Sequence, residues 1–251
     1  MIVETIKLNE INVFTELFLG ISILYLVIFS LFVSCNSNYK FILIQSALIN
    51  LCILTIFMCC LLIFNDDLIT TKMTSFCNSV VSDYLSFFSK FLISFSSIIC
   101  LLFIKEYVIN QKINQFEYII LIMFSLLGLF LLCSANDFLT TYLGMELQSL
   151  SFYLLATFKK RSSQAVDSGL KYFILGALSS SLFLFGSSLV YGVFGSINFD
   201  ELKVLSVVYN SKINEIIDYS KINYFTTVGL MFIFFSLFFI QIFLKAFVSQ
   251  A

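Results

Sequence analysis

Glu146, Lys245, Lys90 and Lys171 are ionisable side chains inside long apolar runs, where a charge is costly and marks a candidate site. Glu146 lies nine residues after Asp137, about 13 Å into a helix at roughly 1.5 Å per residue. Tyr142, Ser149 and Tyr153 stand at −4, +3 and +7 from it, on the same helical face. Such a stripe can orient water around a carboxyl that binds and releases a proton. The plainer alternative is a structural carboxyl hydrogen-bonded to a neighbouring helix. Lys245 has Gln241 and Ser249 four residues to either side. It reads either as a buried lysine that trades protons or as a snorkelling lysine at a helix end. Lys90 follows Asp83 by seven residues, with Ser86, Ser94 and Ser97 near its face. It can carry a proton, pair with an acid or snorkel outward. Lys171 opens an apolar run and reads as a membrane anchor or as the lining of an entry path.

The elements that position these groups follow from composition. Of 251 residues, 60% are apolar and 12% charged, far from the balance of a soluble domain, which is nearer a quarter charged. A water-soluble enzyme and a disordered chain are both excluded. Apolar runs bounded by charges predict seven membrane-spanning helices near residues 14–33, 41–64, 80–104, 116–133, 138–158, 170–194 and 224–248. Residues 1–251 read as a single transmembrane domain, all-α in class. The segment Gly195–Asn223 mixes charged and apolar residues and has room for a short surface helix. Small residues four apart, Gly176 with Ser180 and Ala177 with Ser181, predict close helix packing.

Several absences narrow the chemistry. The chain has no His, Trp or Pro, which argues against metal sites and imidazole catalysis. Its seven Cys form no ligand spacing and read as small apolar fillers. No flavin, nicotinamide or iron–sulfur motif is present, so no cofactor is expected on this chain. A net charge of −1 gives no reason to expect nucleic acid as a partner. Abundant Phe, Ile, Leu and Asn, with scarce Gly, Ala, Arg and Pro, point to an AT-rich genome such as a mitochondrial one. The opening MIVETIKLNE is not an Arg-rich presequence.

Charge predicts orientation. With seven spans, the N-terminus and the loops after spans two, four and six share one side. That side holds Lys7, Lys72, Lys203, Lys212 and Lys221 against Glu4, Glu10, Asp66, Asp67, Asp137, Asp200, Glu201, Glu215 and Asp218. The opposite side holds Lys40, Lys105, Lys112, Lys159, Lys160 and Arg161 against Glu106, Glu117 and Asp167. The basic side should face the matrix or cytoplasm, which puts the N-terminus outside.

The stretch from Asn136 to Gly195 contains YLGMELQSL, a basic loop, GLKYFILGA and SLVYG in that order. It resembles the central part of subunit 2 of respiratory NADH:ubiquinone oxidoreductase (complex I), called subunit N in bacteria. That subunit belongs to the antiporter-like family shared with Mrp-type cation/proton antiporters. DYLSFFSK resembles the start of the family's third helix, and NEINVFTELFLG its first. The resemblance implies an antiporter-like fold of about fourteen helices with inverted repeats, of which this chain resembles the front half. It implies a proton-translocating membrane subunit that works beside other membrane-arm subunits of the complex. Glu146 falls on the family's fifth-helix glutamate, Lys245 on its seventh-helix lysine and Lys171 on a lysine in KYF. Glu146 and Lys245 would form an interacting pair coupled to neighbouring pump modules.

One departure bears on the end of the chain. The family continues past the seventh-helix lysine with a Pro-Phe-His segment, whereas this chain reads FLKAFVSQA. The expectation is a split subunit whose remaining helices come from a second polypeptide, or a truncated sequence. An Mrp-type antiporter subunit and a membrane scaffold that no longer pumps are the rival readings.

Overall fold

The computed structural model describes residues 13–35, 41–65, 73–110, 116–158, 162–211 and 226–236. With no proline to interrupt it, each apolar run keeps its backbone hydrogen bonds within itself. The helices are α1 (Phe14–Cys35), α2 (Phe41–Asn65), α3 (Tyr84–Asn110), α4 (Glu117–Ser134), α5 (Phe138–Ala156), α6 (Ser163–Phe194) and α7 (Phe199–Ser211), with α8 over Thr226–Ser236. A short antiparallel hairpin precedes α3: β1 (Met73–Ser75) pairs with β2 (Val80–Ser82), Thr74 opposite Val81.

The molecule is an all-α membrane protein. Among the described residues, four helical stretches are long and apolar enough to cross a membrane: Phe14–Phe32, Tyr84–Ile104, Glu117–Ser134 and Ser163–Phe194. Ala47–Ile63 and Thr226–Ser236 are shorter apolar stretches. α5 has comparable length, but Thr140, Thr141, Tyr142, Glu146, Gln148, Ser149 and Ser151 dilute its apolar character. Outward-facing Phe32, Leu85 and Phe103 are largely exposed, as suits surfaces meeting lipid or further helices.

Three boundaries differ from the sequence reading. The third span does not start at residue 80, because Val80–Ser82 is strand and the helix begins at Tyr84. The sixth starts at Ser163 rather than 170: the polar segment SQAVDSG extends the helix without adding an apolar signal. Only residues 226–236 of the seventh are described.

α1, α2, α3 and α4 enclose one core, built from Leu19, Ile23 and Leu26, Cys52, Ile56 and Ile63, Leu101, and Met123 and Phe130. Two predicted fillers, Cys52 and Cys59, sit in it, whereas Cys77 and Cys100 are exposed. α5 packs on α4, and α6 on α5. The α4–α5 contact depends on glycine: a Cβ on Gly128 would lie 2.9 Å from the Gly144 carbonyl oxygen and from the Gln148 nitrogen. Backbone meets backbone there, so a side chain has nowhere to go.

At one end of the bundle a polar knot joins three connections. Asn136, in the α4–α5 turn, donates to the Asn78 carbonyl at 2.9 Å and to Asp200 at 3.0 Å. Asn198, between α6 and α7, donates to the same Asn78 carbonyl at 2.7 Å. Asp137 then caps α5 by accepting from the Thr140 amide at 2.6 Å. The hairpin, the α4–α5 turn and the α6–α7 turn therefore share one end, the same three loops that the loop charges group together.

Candidate functional site

Glu146 sits in the middle of α5, partly buried, and lines a cavity of about 80 Å³ between α5 and α6. α5 contributes Tyr142, Ser149 and Tyr153, and α6 contributes Tyr172, Gly176, Ser179 and Ser180. Met145, Phe152, Leu175 and Phe183 make much of the wall apolar, and the volume with the hydroxyl residues among them suits a few waters. Tyr153 and Ser149 stand four residues apart on the same wall, and Ser149 donates to the Glu146 carbonyl oxygen at 3.0 Å. The stripe read from helical spacing thus faces one wall of a real cavity.

The opposite wall is shaped by a missing side chain. A Cβ on Gly176 would collide with the Tyr153 hydroxyl and approach its Cζ to 2.6 Å. The Tyr153 ring is further held edge-on by Tyr172 at 4.7 Å between centroids and by Phe173 at 5.7 Å. Only half of the predicted small-residue ladder makes contact here. Gly176 and Ser180 line the cavity, whereas Ala177 and Ser181 are exposed.

Lys90 lies elsewhere. It is buried between α1, α3 and α4, and its Nζ is 2.5 Å from Glu16 Oε1. Ser134 donates to the same Oε1 at 2.9 Å, and Thr15 donates to Oε2 at 2.7 Å. The structure shows this lysine paired with an acid rather than snorkelling outward. The serines near its face serve their own helix instead: Ser86, Ser94 and Ser97 donate to the carbonyls of Asp83, Phe91 and Ser94. Glu16 was not among the candidates read from the sequence. It stands in the first turn of α1, where an acid reads as an ordinary helix-end residue. The available signal was Lys90 itself, since a lysine inside the bilayer calls for a counter-charge at similar depth.

Lys171 does not open α6 but lies eight residues, about two turns, beyond Ser163. It is exposed and does not line the Glu146 cavity, although its neighbour Tyr172 does. Lys245 falls outside the described residues. Among the described residues, no cluster of His, Cys, Asp and Glu could hold a metal.

Residues 135–249, which contain the cavity, match the family described as "NADH:quinone oxidoreductase/Mrp antiporter, TM". The subunit N of NADH-quinone oxidoreductase from Paramagnetospirillum magneticum is 42% identical over 131 residues, 52% of this chain and 27% of that protein. Its counterpart from Pelagibacter ubique is 38% identical over 185 residues, 74% of this chain and 37% of that protein. The match thus spans only a quarter to just over a third of the length of these curated relatives.

Two solved structures share the fold. A chain of the membrane-bound sulfane sulfur reductase, an archaeal respiratory membrane complex, superposes with a TM-score of 0.69 at 20% identity, over 90% of this chain and 44% of that one. A chain of respiratory complex I from Thermus thermophilus gives 0.60 at 19%, over 87% and 49%. Over the matched residues the chain is similar to the antiporter-like family that contains subunit N of NADH:quinone oxidoreductase, and it shares the helical frame of these respiratory membrane complexes.

Proposed function

We propose that this chain forms the front part of a proton-translocating membrane-arm subunit of respiratory NADH:ubiquinone oxidoreductase. The observation that carries the reading is Glu146, a carboxyl at mid-helix that lines a cavity whose largely apolar wall also holds Tyr142, Ser149, Tyr153, Tyr172, Ser179 and Ser180. In such a place a carboxyl takes up a proton from one water-filled approach and gives it to another. Ser149 and Tyr153 supply hydroxyls that orient the water. Lys245 is the proposed partner of Glu146, and a charge moving beside it would change its hold on a proton. Lys171 and Lys90 complete the proposed set. Redox energy comes from other subunits of the complex.

The remaining assignments belong to the same proposal. Residues 1–251 form one transmembrane domain. The partners are other membrane-arm subunits and the lipid bilayer. The composition supports a mitochondrial inner membrane, and the acidic excess around the N-terminus supports its facing the intermembrane space.

The test is to purify the native complex that oxidises NADH with quinone and to identify its chains by mass spectrometry. The chain should co-migrate with that activity in fixed ratio to the flavin-carrying subunit. Its recovery only with a Na⁺-dependent antiporter complex that lacks NADH oxidation contradicts the proposal.

A further inference from the structure

We propose that Glu16 is a positioning residue for transport: it holds Lys90 in a buried ion pair, and Lys90 acts only through that pair. The inference rests on the pumping function proposed above. Both side chains are nine-tenths or more buried, at 4% and 5% exposure. The partners come from separate helices, α1 and α3, and Ser134 of α4 bonds the same carboxylate oxygen that Lys90 does. The carboxylate therefore has partners on both oxygens, with Thr15 on the second.

Depth separates this pair from the Glu146 cavity. Glu16 is the third residue of α1 and Ser134 the last of α4, so the pair lies just beneath the end that carries the polar knot. Glu146 lies about nine residues deeper along α5, roughly 13 Å. A proton leaving the Glu146 level for that end meets the field of this pair last. A fixed Lys90 ammonium there repels a passing proton, and its engagement with Glu16 sets how strongly.

Burial also dictates how the pair must be tested. Removing one partner leaves an uncompensated charge, whereas removing both does not. The variants are Glu16→Gln, Lys90→Met and the double Glu16→Gln/Lys90→Met, made in the whole complex. The readouts are assembly on native gels and protons translocated per NADH oxidised. A pair that served packing alone would change the first and leave the second untouched in whatever assembles. The expected result is at least a twofold fall in protons per NADH for each assembled single variant, and a fall in the double variant that is no larger than in either single.

An unchanged ratio in the assembled variants overturns the proposal. Where the single variants fail to assemble, the neutral double variant is read instead, with the same two outcomes. Where that also fails, Glu16→Asp is read, which keeps the charge but withdraws the carboxylate by one methylene. A lowered ratio supports the proposal and a wild-type ratio overturns it. Glu146→Gln measured alongside separates the two claims. If it lowers the ratio and the Glu16 variants do not, only the role of the Glu16–Lys90 pair fails. If none of them does, the pumping function fails.

Discussion

The hydroxyl of Tyr153 fills the place where a side chain on Gly176 would begin. This contact between α5 and α6 fixes the rim of the Glu146 cavity and holds Tyr153 over Ser149. Gly176→Ala should therefore force Tyr153 aside, at a cost of about 1–3 kcal/mol as for other overpacked interiors. Thermal denaturation of the purified complex should show the loss. Adding Tyr153→Phe should recover part of it, because the hydroxyl is the atom in closest conflict although Cζ remains near. Wild-type stability in Gly176→Ala would mean that the two helices separate freely there.

Asn136 is the hub of the polar knot. Its side-chain amide reaches the Asn78 carbonyl and Asp200, and its backbone bonds Ser79 and Phe199. Asn136→Ala removes only the side-chain bonds, to the half-buried Asp200 and to an Asn78 carbonyl that keeps its bond from Asn198, and should cost about 0.5–1.5 kcal/mol per bond. The hairpin should become open to limited proteolysis while the α1–α4 core stays resistant. Equal protection in variant and wild type would show that the backbone bonds alone hold the knot.

Orientation gives a prediction independent of any substitution. The N-terminus and the Gly195–Asn223 segment should be cut by protease added to mitoplasts, while the basic Lys159–Gly169 segment should be protected. Among these, α7 lies at the same end as the hairpin through the bonds of Asn198 and Phe199. Cleavage of the Lys159–Gly169 segment from the outer side would reverse the assignment.

The long helices were legible because apolar runs without proline leave the backbone no alternative to helix. Glu146 was legible because its stripe repeats at the helical period. The hairpin was not. Its strands have three residues each, and its turn places Phe76, Cys77 and Asn78 at positive φ without a glycine to announce it. The start of α6 was missed because SQAVDSG is polar yet helical. Glu16 was missed for a different reason: its importance comes from Lys90, 74 residues away along the chain and 2.5 Å away in the fold. Local pattern records which side chains could carry charge. It does not record which of them meet.

The account turns on Glu146 as a proton-carrying group, and Glu146→Gln tests that most directly. Glutamine keeps the shape and part of the hydrogen bonding while removing the titratable proton. The measurement is protons translocated per NADH oxidised by the whole complex in sealed vesicles, with assembly checked on native gels. The account predicts a normally assembled complex with at least a twofold lower ratio. An assembled complex with wild-type turnover and a wild-type ratio would make Glu146 a structural group and contradict the account.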